Sequence, residues 1–171
     1  MHIGGYDLIA PALTGDPYSE AEVLGAAVWL WMHAKQHREI PLHALPTLLM
    51  PALKTGQFAI VSRQGKPVLY MSWARLSEEA EKRYIRNPSY TMPQQDWSSG
   101  ENLWILDWVA PFGHTRELAS LFRRRVFAGQ LASALYHRGH ERGMRILQWH
   151  GIAVMREEKA NRDATHPGSK R

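Results

Sequence analysis

The stretch Asn102–Gly113, NLWILDWVAPFG, sets a single acid, Asp107, inside an apolar run between Trp104 and Trp108. An ionised carboxylate in such surroundings carries a large desolvation cost unless something compensates it. The segment NLWILDWV is apolar on both faces, the pattern of a strand in the middle of a sheet. Whatever covers its two sides defines the fold, and whatever faces Asp107 defines the chemistry.

Upstream, QFAIVSR and PVLYMSWARL read as two strands joined by QGK, where Gly65 signals a hairpin turn. Ser77 then caps a helix over SEEAEKRYIR, with acids in its first turn and bases in its last, as the helix dipole favours. NPSYTMPQQDWSSG is a polar loop. Downstream, Thr115 is placed to cap a long helix through RELASLFRRRVFAGQLASALYHR, and MRILQWH reads as a last strand. Nearer the N-terminus, Ser19 and Glu22 form a capping box. Val23, Ala26, Ala27, Leu30, Trp31 and Ala34 follow it at helical spacing and carry a helix to about Gln36. Pro41 disfavours helical geometry at the residue before it, and a second short helix over PTLLMPALKTG ends near Gly56. The sum is an α/β (α+β) domain: a central mixed or antiparallel sheet of at least four strands, flanked by helices. Residues 1–18, rich in Gly, Pro and Asp, read as a flexible arm, 19–155 as one domain, and the apolar-poor residues 156–171 as a disordered tail.

The 171 residues include no cysteine, which removes disulfides, thiolate metal sites and a cysteine nucleophile and is compatible with a reducing cytoplasm. Seven tryptophans supply large rigid apolar surfaces for a core or a pocket. No apolar run is long enough to span a membrane, and the N-terminal residues do not read as a secretion signal. A net charge of +5 suits an acidic partner, an anionic surface or simply a basic protein.

Two side chains stand out as chemistry. His37 falls where the first helix gives way to REIP; it is either a surface histidine at a helix end or a general base tuned by that position. His33, four residues earlier, adds at most a second metal ligand, which is too few. Asp107 is either salt-bridged to an arginine or orients and charge-balances a histidine, as acids do in catalytic triads. No phosphate-binding glycine motif is present. Arg123, Arg124 and Arg125 form the centre of the densest basic region, suited to a solvated face or to an acidic or phosphorylated partner. The region lacks interleaved aromatics, which disfavours nucleic acid.

Three segments in order resemble the toxin-activating lysine acyltransferases of RTX protoxins: LGAAVWLWMHAKQHREIPL, MPALKTGQFAIVSRQGKPVLYMSWARLS and DWSSGENLWILDWVAPFG. The likeness covers about residues 21–127 and more loosely extends to His150. It implies a fold similar to the GCN5-related N-acetyltransferases without their CoA-binding turn. It implies transfer of a fatty acyl group from acyl-carrier protein to internal lysines of a protoxin, in the cytoplasm, with no other cofactor and no metal. It places the essential histidine at His37 and the essential aspartate at Asp107. Trp104, Trp108, Gly100, Ser72 and Trp73 are the expected substrate-binding residues, Arg123, Arg124 and Arg125 the carrier-protein docking residues, and a homodimer is a possible assembly. Where the family often carries Ser-Pro-x before its histidine, this chain has Ala34, Lys35 and Gln36, and Met71 replaces a common cysteine. His37 then either deprotonates the lysine amine or carries the acyl group transiently. A CoA-dependent N-acyltransferase and a non-catalytic toxin chaperone are the rival readings.

Overall fold

The computed structural model describes residues 1–86, 92–136 and 145–165. In chain order the elements are β1 (His2–Ile3), β2 (Tyr6–Ile9), α1 (Pro11–Thr14), α2 (Glu20–His33), α3 (Leu45–Leu48), α4 (Met50–Thr55), β3 (Phe58–Arg63), β4 (Lys66–Leu76), α5 (Glu78–Arg86), β5 (Asn102–Val109), α6 (Thr115–Leu121), β6 (Leu131–Tyr136), β7 (Arg145–His150) and α7 (Ile152–Thr165). The strands form one seven-stranded sheet in sequential order. Every neighbouring pair is antiparallel except β5 and β6, which run parallel. β5 is interior to the sheet, as its two apolar faces require.

The expected helix starts and hairpin form for the expected reasons. The Ser19 side chain accepts from the Glu22 amide at the start of α2, and Ser77 accepts from the Ala80 amide at the start of α5. Gln64 and Gly65 both take positive φ, 51° and 75°, the geometry of a two-residue turn whose twist matches the β3–β4 hairpin. α2 is three residues shorter than its spacing suggests, because Ala34 leaves the helix in extended geometry and buries against the core.

Three expectations give way to tertiary packing. Residues 1–18 are not an arm: Tyr6 and Leu8 are buried while Asp7 and Ile9 face outward, a period-2 pattern that docks β2 on β3. The Tyr6 hydroxyl then donates to Glu117 across the molecule (2.7 Å). The long helix after Thr115 ends early. His114, not Thr115, is its N-cap residue, α6 passes through a π-turn at Phe122–Val126, and LASALY becomes β6. Helix-forming Ala and Leu are overridden there by pairing with β5 and β7. The tail begins as α7, which follows Gly151; a Cβ at that glycine would lie 2.1 Å from the Phe127 carbonyl oxygen. Residues 166–171, the segment 87–91 of the polar loop, and Arg138 and Arg142 of the basic region lie outside the described residues.

The sheet carries a core on each face. One joins Val23, Ala27, Leu30 and Trp31 of α2 to Leu49, Ala52 and Leu53, and to Phe58, Tyr70, Ala74 and Trp104 of the sheet. The other packs Leu118 and Phe122 with Phe127 onto Leu69, Met71, Trp73 and Leu103. Fully burying a large apolar side chain contributes roughly 1.5–3 kcal/mol, so each layer anchors its helices firmly.

Candidate active site

The site is made by an irregularity in β5. Ser72 pairs with Asp107, yet the next β4 residue, Trp73, pairs with Ile105, so Leu106 is an extra residue without its own partner. Strand residues alternate between faces, and one inserted residue reverses the alternation beyond it. Leu103 and Ile105 face the α6 side, Trp104 the α2 side. Without the bulge Asp107 would follow Leu103 and Ile105 and enter the α6-side core. With it, Leu106 and Asp107 together line a cavity on the α2 side, and Trp108 turns to the opposite core.

His37 reaches that cavity from the turn after α2. Its amide donates to the Ala34 carbonyl (3.0 Å), and its own carbonyl accepts from the Ile40 amide (2.9 Å). Its ring lies 4.9 Å from the Trp31 ring. His37 Nε2 and Asp107 Oδ1 are 3.0 Å apart, and the same oxygen accepts from the Trp108 amide at 3.0 Å. Both side chains are largely shielded, 17% and 20% exposed. A carboxylate accepts, so Nε2 carries the proton and Nδ1 is left as the basic nitrogen. Nδ1 is buried and has no partner.

The cavity holds about 240 Å³ and is walled by Trp31, Ile40, Leu48, Tyr84, Met92 and Trp97 as well as His37, Ser72, Leu106 and Asp107. Its chemistry is polar at one wall and apolar elsewhere. The Tyr84 hydroxyl is pushed up to about 12 by burial, with the Asp107 charge adding to it. Tyr70, deeper in the same core, is raised for the same two reasons. Trp97 is fixed by its neighbours: Gln57 donates to its carbonyl (2.9 Å), and the buried carboxylate of Asp96 accepts from Arg83 through both oxygens (2.9 Å each).

The structure unites His37, Asp107 and Ser72 on one cavity and separates the other expected substrate-binding residues from it. Trp104 is 1% exposed and lies behind Tyr84, its indole N–H donating to Glu81 (2.7 Å). Trp73 points to the other core, edge-on to Phe127. Trp108 also turns away through the reversed alternation, although it borders a separate hollow beside the His37 turn. Gly100 is glycine for close approach: a Cβ there would sit 2.6 Å from the Leu76 carbonyl oxygen. Trp31, Tyr84, Leu106 and Trp97 look like ordinary core residues in sequence; the packing of α2, α5 and the Trp97 segment against β5 brings them to one wall, and the bulge adds Asp107 to it. Among the described residues no three His, Cys, Asp or Glu side chains gather as a metal site, and no helix is long and apolar enough to cross a membrane.

Comparison with known proteins matches residues 16–150 to the model of the RTX toxin acyltransferase family. The chain belongs to that family. It is 42% identical to the protein-lysine myristoyltransferase RtxC of Kingella kingae over 124 residues, 67% of this chain and 72% of that protein. It is 35% identical to the leukotoxin-activating lysine-acyltransferase LtxC of Aggregatibacter actinomycetemcomitans over 133 residues, 78% of each. With the protein-lysine myristoyltransferase HlyC of Escherichia coli it shares 36% identity over 104 residues, 61% of this chain and 59% of that protein. Membership of the RTX toxin acyltransferase family makes the His37–Asp107 pair a candidate for acyl-transfer chemistry.

Proposed function

We propose that this family member moves a fatty acyl group from the thioester of an acyl-carrier protein to internal lysine side chains of an RTX protoxin, with His37 as general base and Asp107 as its orienting acid. The observation that carries this reading is the 3.0 Å contact between His37 Nε2 and Asp107 Oδ1 on the wall of a largely apolar cavity. A lysine amine attacks only when neutral, and with an ordinary pKa near 10.4 only about one in 2,500 is neutral at pH 7. Nδ1 of His37 takes a proton from the lysine nitrogen as the neutral amine attacks, and Asp107 stabilises the imidazolium that results. Leu48, Ile40, Leu106 and Met92 offer the acyl chain an apolar wall, worth about 0.8 kcal/mol for each methylene buried. Arg116, Arg124 and Arg125 are exposed and suit an acidic carrier protein, whereas Arg123 donates to the His150 carbonyl (3.0 Å).

The test supplies purified acyl-carrier-protein and acyl-CoA donors side by side, with a protoxin fragment as acceptor. Intact-mass analysis is expected to show one acyl increment per modified lysine with the carrier-protein donor. Transfer from acyl-CoA alone would replace this reading with a CoA-dependent one, and no mass gain with either donor would replace it with a docking role.

A further inference from the structure

Apart from His150 Nδ1, which lies 3.3 Å from the Glu158 carboxylate, four buried side-chain polar atoms among the described residues have no hydrogen-bond partner: Trp31 Nε1, His37 Nδ1, Tyr70 Oη and Trp97 Nε1. Three of them belong to residues that line the one cavity holding Asp107. Chance does not readily concentrate such atoms, since a buried polar group left unpaired costs about 1–3 kcal/mol. By contrast, the Trp104 indole donates to Glu81 (2.7 Å) and the Trp108 indole to Thr115 (3.5 Å).

Trp31 is the informative case. It is 5% exposed, it sits in the last turn of α2, and its ring lies 4.9 Å from that of His37. An indole nitrogen only donates, so its missing partner must be an acceptor. The neighbouring His37 Nδ1 has the opposite need, a donor. A lysine amine adding to a thioester presents both at once: an N–H for Nδ1 and a carbonyl oxygen, becoming an oxyanion, for Nε1.

We propose that the Trp31 indole N–H holds the thioester carbonyl oxygen and stabilises the oxyanion formed on attack, an assignment that rests on the acyl-transfer reading above. The amine nitrogen bonds to the carbonyl carbon and the C=O electron pair moves to oxygen, facing Trp31. His37 removes one ammonium proton. Collapse then re-forms C=O and breaks C–S, and the departing carrier thiolate takes the proton back as a thiol, leaving an amide on the lysine. Donors placed for developing charge in a site shielded from water are worth more than in water because they need no reorganisation.

Two variants test it: Trp31→Phe, which keeps a ring against His37 but removes the N–H, and replacement of Trp31 by β-(3-benzothienyl)alanine, which keeps the indole shape with sulfur in place of N–H. Steady-state transfer from the acyl-carrier-protein donor is expected to fall roughly 10²-fold in kcat, with KM for the donor nearly unchanged. The benzothienyl variant controls for repacking in the phenylalanine one. A benzothienyl variant with wild-type kcat overturns the assignment while leaving the acyl-transfer reading intact. Wild-type protein that transfers no acyl group from any thioester overturns that reading and this assignment with it.

Discussion

On β5, Trp108 faces a layer where rings meet rings: Phe122 at 5.7 Å and Trp149 at 6.2 Å, with Phe127 beyond them. One residue earlier on the same strand, Asp107 faces a cavity whose wall keeps donors and acceptors unpaired. Both faces are built from the same residue types and comparable helices. They differ because a single extra residue in β5 sends Asp107 to the side where α2 ends and His37 turns inward. On the acyl-transfer reading proposed above, the α6 face serves stability and the α2 face holds the reactants.

Substitutions on the two faces are expected to separate activity from stability. Asp107→Asn should cost heavily on the α2 face, short of losing His37 itself: it removes the charge that fixes the His37 tautomer and balances the imidazolium, and general-base contributions run to roughly 10²–10⁴-fold. Steady-state acyl transfer by protein of near wild-type thermal midpoint checks this; a folded variant with unchanged kcat would break the comparison. Phe122→Ala on the α6 face should do the reverse. Truncating a fully buried aromatic is expected to cost about 3–5 kcal/mol in denaturant unfolding, with kcat per folded molecule nearly intact.

Asp96→Asn is expected to fall between these. Asp96 is buried but its partner Arg83 is half exposed, so the loss in unfolding free energy is placed at about 1 kcal/mol. Because the Asp96 segment carries Trp97, KM for the acyl donor is expected to rise modestly. A variant with unchanged KM would remove Trp97 from the functional wall.

The smallest effect is electrostatic. Tyr84 ionises near 12 instead of its ordinary 10.0, through burial first and the Asp107 charge second. A raised folded-state pKa means the contribution to stability is fully present below pH 10 and is lost as pH rises from there through about 12. Ultraviolet titration should show this late phenol, and Asp107→Asn should move it slightly downward. No movement would mean the two groups do not share one electrostatic environment.

Much of this was legible in the sequence. Capping serines, the Gln64–Gly65 turn and the doubly apolar β5 are local signals, and local geometry follows from them. The lone acid in β5 and the histidine after α2 were visible as residue types out of place. The pairing of Asp107 with a particular face was not. Period-2 reasoning from Trp104 sends Asp107 to the wrong side, since nothing in LWILDWV marks Leu106 as the extra residue. The resemblance also sets Trp104, Trp73 and Trp108 beside the substrate, whereas Trp104 packs in the α2-side core and Trp73 and Trp108 on the α6 side. β6 reads as helix in sequence because Ala and Leu favour one, and non-local pairing with β5 and β7 decides otherwise.

Acyl transfer by His37→Ala, measured by intact mass of the protoxin fragment and paired with a thermal unfolding curve, bears most directly on the His37–Asp107 pair as the reacting centre. A well-folded variant that adds no acyl mass to any lysine is the predicted result. A well-folded variant that acylates lysine at the wild-type rate would contradict it.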